Sequence, residues 1–141
     1  MEIMKFDYEM RNFSGEDVEL LLSKLGFNLD GYFIAMTKPS LLSMTLVGNL
    51  SNFSNRYCIV CFSDTELNLI MLSRMNSKKV TEIVKIPRTE IINMKLSNIL
   101  ISYTLKMKIN DSKMKFQVFK KVGKFEKIKT SLESFKNMYN L

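Results

Sequence analysis

Apolar and polar positions change rhythm twice along this chain. Between Ser14 and Gly26 the apolar residues Val18, Leu21, Leu22 and Leu25 recur at the spacing of one helix face. Ser14 is placed to cap that helix, and Asp17 can reach back to complete a capping box. Glu16, Asp17 and Glu19 suit the positive end of the helix dipole, and Gly26 supplies a stop. From Tyr32 onward the rhythm becomes that of strands. YFIAM breaks at Lys38-Pro39-Ser40; LLSMTLV fits a strand or a short helix; GNLSNFSN reads as a loop. RYCIVCF and ELNLIML are two strands joined across Ser63-Asp64-Thr65, a turn of hairpin length. KKVTEIVKI ends at Pro87, which has no amide donor for a sheet ladder. EIINMKL gives another strand, with a tight connection expected at Ser97-Asn98.

The strongest alternation lies in ILISYTLKMKI and KMKFQVF, separated by Asn110-Asp111-Ser112. A two-residue turn at Asp111-Ser112 would set Ile109 against Met114, Met107 against Phe116, Leu105 against Val118 and Lys108 against Lys115. That register puts every apolar side chain on one face and every lysine on the other. The second change of rhythm follows in GKFEKIKTSLESFKNMYNL. Phe125, Ile128, Leu132, Phe135 and Met138 obey helical spacing, and Lys129 with Glu133 can pair on the exposed side.

Charge sharpens this picture. The 141 residues, 46% hydrophobic and 25% charged, have the profile of one globular domain. Net charge is +7, unevenly spread. Met1 to Gly31 carry three basic and seven acidic residues, whereas Arg74 to Leu141 carry sixteen basic and five acidic. Either the acidic front covers the basic back, or the basic part meets an anionic partner. No apolar run approaches the roughly 20 residues needed to span a bilayer, and the N-terminus lacks the pattern of a secretory signal. Two cysteines and no histidine favour a reducing compartment, so a cytoplasmic protein is expected, with peripheral membrane association kept open.

About seven strands followed by one amphipathic helix is an α+β arrangement, in which the helix covers an open end of a curved antiparallel sheet. The order of RYCIVCFSDTELNLIML, VKIPRTEIINMKL, the long hairpin and the closing helix resembles small bacterial pleckstrin-homology-like (PH-like) and GRAM-like domains. The resemblance spans residues 32–141 and leaves residues 1–31 as an acidic helical extension. It implies a scaffold for binding. Phosphoinositide-binding members cluster basic residues around the loop between their first two strands; GNLSNFSNR offers only Arg56. Glu66 also stands where members carry a basic residue.

The inventory of chemistry agrees with a binding module. Without histidine, the commonest general base and metal ligand is missing. Cys58 and Cys61 have the spacing of a redox or zinc pair, but they lie in a strand pattern and lack two further ligands. Buried, inert thiols are expected. No glycine-rich phosphate loop occurs, so neither cofactor, metal nor catalytic residue is expected. The candidate partner or anionic-ligand surface is Lys106, Lys108, Lys113 and Lys115, with Lys120, Lys121 and Lys124 close in sequence. Lysines on a sheet face also serve simply to keep it soluble. Three occupants stay open: another protein, an anionic membrane surface, and nucleic acid. Protein binding along an open strand edge or an end groove is the leading expectation.

Overall fold

A computed structural model describes residues 1–27, 31–38, 55–109 and 112–141. The expectations for LLSMTLV, for most of GNLSNFSN and for the turn at Asn110-Asp111 lie outside the described residues.

The chain opens with strand β1 (Glu2–Glu9) and helix α1 (Gly15–Leu25). A meander follows: β2 (Gly31–Lys38), β3 (Tyr57–Phe62), β4 (Glu66–Leu72) and β5 (Lys79–Pro87). A 3-10 turn at Arg88–Glu90 leads to β6 (Ile91–Ile99), β7 (Ser102–Ile109) and β8 (Ser112–Phe119), and helix α2 (Ile128–Tyr139) closes the chain. All eight strands form one antiparallel sheet in the order β1-β5-β4-β3-β2-β8-β7-β6, not closed on itself. The fold is α+β as expected, with eight strands described instead of about seven. The additional one is β1, which pairs with β5 and sits at one end of the sheet, so the first 31 residues supply a strand as well as a helix.

Each helix forms for reasons written locally. The Asp17 amide donates to Ser14 Oγ, Ser14 Oγ donates to the Asp17 carboxylate, and Gly26 ends α1 in the left-handed conformation at φ 67°. Val18 and Leu21 are buried in the main core, whereas Leu22 and Leu25 are half-buried. In α2 the buried residues are Ile128, Ser131, Leu132, Phe135 and Tyr139. Tyr139 takes the inward position expected of Met138, and Glu133 pairs with Lys136, not Lys129.

Phe135 anchors α2 on the sheet, with its ring 5.0 Å from Phe33, 5.1 Å from Phe62 and 4.8 Å from Tyr139. Gly31 permits this approach, because a Cβ there would stand 2.8 Å from the Phe62 ring and 2.9 Å from Ser131 Oγ. Arg88 donates to the Met138 carbonyl at the end of α2 and lies over the Tyr139 ring. Tyr139 in turn donates to the Ser63 carbonyl at 2.8 Å.

The hairpin β7–β8 is present, with a different register. Lys108 pairs with Lys113, Met107 with Met114, Lys106 with Lys115 and Leu105 with Phe116. The offset from the expected pairing is two positions. Because side chains alternate with period two, an even slip leaves each of them on its own face. Leu105, Met107, Ile109, Met114, Phe116 and Val118 are accordingly buried, while Lys106, Lys113 and Lys115 are exposed. The connection expected at Ser97-Asn98 is displaced. Both residues stay in β6, paired with Thr104 and Tyr103, and the turn falls at Leu100-Ile101.

Candidate functional site: a lysine-lined sheet face

Reading the ladder across strands locates the lysines. Lys38 of β2 pairs with Lys115 of β8, Lys115 with Lys106 of β7, and Lys106 with Lys95 of β6. Directly paired residues share a face, so four lysines from four strands form one row. Adjacent strands lie about 4.8 Å apart, which makes the row about 14 Å long. Two residues further along the hairpin, Lys113 and Lys108 form a second, shorter row that ends at the exposed Ile92. Two residues the other way, Met36, Gln117, Thr104 and Ser97 make a neutral row. Tyr57 pairs with Met36, and its ring lies 6.0 Å from that of Phe119 at the end of the same face.

Like charges placed directly opposite each other destabilise a sheet. Among the described residues, none of these six lysines has an acidic group within ion-pairing distance. The sequence accounts for the imbalance: from Ile91 to Phe125 there are eight lysines and a single acidic residue, Asp111.

The remaining lysines singled out from the sequence lie elsewhere. Lys120 donates to Asn98 and to the Leu100 carbonyl at 2.9 Å, and its ammonium stands 4.7 Å from the Tyr103 ring centre. Lys121 and Lys124 are exposed beyond the end of β8. The Lys124 carbonyl accepts from Gly15, beside a cleft that α1 lines with Glu16 and Glu19. Glu19 pairs with Lys127, so the acidic helix answers cations near α2 and leaves the hairpin lysines uncovered by that pair. The structure thus groups Lys106, Lys108, Lys113 and Lys115 and separates Lys120, Lys121 and Lys124 from them. Lys38 and Lys95 join the group, although sequence reading passed over both.

Arg56, the basic residue of GNLSNFSNR, faces inward and is 7% exposed. It donates to the Leu72 carbonyl at 2.9 Å, to Thr81, and to the Glu82 carboxylate at 3.0 Å. This pair joins the residue just before β3 to β5. Cys58 and Cys61 are both fully buried and unlinked. Burial pushes the Cys58 thiol up to about 12 and the Cys61 thiol well above its ordinary value, so neither forms a thiolate near neutrality.

The edge beside the lysine rows is β6. Among the described residues it has β7 on one side and no strand on the other. A bulge interrupts it between Ile92 and Lys95, with Asn93 at φ 56°, and regular pairing resumes from Lys95 to Ile99. No helix among the described residues is long and apolar enough to cross a membrane. Comparisons with protein-family models, curated proteins and solved structures find no match to this chain.

Proposed function

We propose that this chain is a non-enzymatic binding module of PH-like fold that captures an acidic protein segment along the edge of β6. The PH-like reading is supported by the order of β2 to β8, seven consecutive antiparallel strands, followed by α2 packed on β2. The observation that carries the functional reading is the row Lys38-Lys115-Lys106-Lys95, which ends on an edge strand. A strand added to β6 would satisfy its outward amides and carbonyls, and the side chain facing Lys95 would extend the row. A carboxylate at that place would turn the end of a repulsive ladder into an attractive contact. Backbone pairing supplies affinity, and the lysine face selects for negative charge.

The test is a calorimetric titration with a Glu-Val alternating peptide as long as β6, alongside a Lys-Val peptide of equal length. The reading predicts binding of the acidic peptide only, weakening as salt rises and lost in Lys95→Glu/Lys106→Glu. Equal binding of both peptides, or of neither, contradicts it. The exposed Tyr57 against Phe119 supports a second reading, single-stranded nucleic acid, whose bases stack on aromatic rings while lysines follow the phosphates. That reading predicts oligonucleotide binding that falls steeply with salt and is reduced in Tyr57→Ala.

A further inference from the structure

The β6–β7 turn is the most exposed apolar feature among the described residues outside the isolated Met75. Leu100 is 91% exposed and Ile101 84%, with Ile99 at 52% beside them. Scattered surface leucines need no explanation, but three consecutive aliphatic residues at a hairpin tip do. The backbone adds a second oddity. Leu100 has φ 41°, a left-handed conformation in which glycine or asparagine is the relaxed choice. The chain therefore keeps a leucine where both conformation and solvation disfavour it. The third observation is cationic. Lys120 donates to the Leu100 carbonyl, holding its ammonium directly behind the tip, and Lys136 stands 4.8 Å from the centre of the Tyr103 ring that Lys120 also covers. Lys121 follows, exposed.

We infer that this tip docks on an anionic lipid surface, with Leu100 and Ile101 entering the boundary of headgroups and acyl chains while Lys120 and Lys121 meet the headgroup phosphates. A convex wedge needs no preformed pocket in a bilayer interface, and aliphatic residues backed by cations match its layered polarity. Asp111 is the one acidic residue between Ile91 and Phe125, so Lys120 and Lys121 give the tip its positive charge, while Lys136 behind Tyr103 is already paired with Glu133. Each aliphatic side chain fully removed from water contributes about tenfold to a hundredfold in partition. Two side chains with lysine support give reversible association, not permanent anchoring. This site lies at the end of the hairpin remote from Lys108 and Lys113 and is independent of strand addition at β6.

The test uses the full chain with vesicles of phosphatidylglycerol and phosphatidylcholine in equal parts, and with phosphatidylcholine vesicles as the uncharged control. The chain has no tryptophan, so Leu100→Trp places a single reporter at the tip. The inference predicts co-sedimentation with anionic vesicles only, a blue shift of the indole emission of Leu100→Trp on binding, and at least about a tenfold loss in Leu100→Asn/Ile101→Ser. Asparagine tolerates the left-handed position, so that double variant melts no lower than the parent and the loss is not one of folding. Adding Lys106→Gln/Lys115→Gln to the reporter variant retains the blue shift. Failure of the parent chain to sediment, an unshifted emission, full binding by the double variant, or loss of the shift on removing the two lysines each overturns the inference.

Discussion

Lys106→Glu separates a surface kept for solubility from one kept for a partner. Lys106 faces Lys115 on one side and Lys95 on the other, so a single substitution removes two like-charge contacts and creates two opposite-charge ones. Cross-strand pairs of this type contribute roughly 0.2–1 kcal/mol each. Lys106 is exposed, which keeps the gain toward the lower part of the range, and the expected stabilisation is about 1 kcal/mol at low ionic strength. In a domain of this size that raises Tm by roughly 3 °C. Thermal melts in dilute buffer and at about 1 M salt, where the screening length falls to about 3 Å, separate the electrostatic part from any change in strand propensity. The variant should be more stable than the parent at low salt, nearly equal at high salt, and deficient in binding the acidic peptide. Loss of stability at low salt would refute the cross-strand row. A stabilised variant that still binds the peptide would refute its role.

Other consequences of the structure are open to direct measurement. Asn68 is fully buried and, among the described residues, neither its side-chain oxygen nor its nitrogen has a hydrogen-bond partner, so Asn68→Leu should raise stability by about 1–3 kcal/mol in urea titration. Glu82→Ala removes the carboxylate from the Arg56 guanidinium, which keeps its bonds to the Leu72 carbonyl and Thr81, and should cost about 1–3 kcal/mol. Burial, the leading cause in each case, raises the Tyr32 and Tyr139 hydroxyls and the Cys58 thiol to about 12 and the Cys61 thiol in the same direction. Each group holds its proton more tightly folded than unfolded, so its contribution is complete below the unfolded value and is lost as pH climbs toward 12; urea midpoints should fall steadily above about pH 9. The same burial predicts that thiol alkylation of the native chain at mildly alkaline pH is slow and becomes fast in denaturant.

How far the sequence reveals this arrangement depends on the range of the interactions. The two arms of the β7–β8 hairpin carry period-two patterns that agree, so the faces of Leu105 and Lys106 were legible from residues alone. The register was not, since a slip of two preserves both faces. Helix α1 was legible down to its cap, because Ser14, Asp17 and Gly26 act through contacts only a few residues long. Strand β1 was missed although Met4, Phe6, Tyr8 and Met10 alternate with Lys5, Asp7 and Glu9, which is the period-two signal of a strand with one solvated face. The lysine row was half visible. Lys95, Lys106 and Lys115 come from successive strands, but Lys38 joins them through the long-range pairing of β2 with β8. Lys120 follows the hairpin in sequence, yet its ammonium is drawn to Asn98, Leu100 and Tyr103.

Hydrogen exchange on the β6 amides, with and without the alternating Glu-Val peptide, tests the claim of strand addition most directly. The account predicts new protection between Lys95 and Ile99 in the presence of the peptide, weakened by salt and absent in Lys95→Glu/Lys106→Glu. Protection appearing at β1 instead, or unchanged exchange along β6 at saturating peptide, contradicts it.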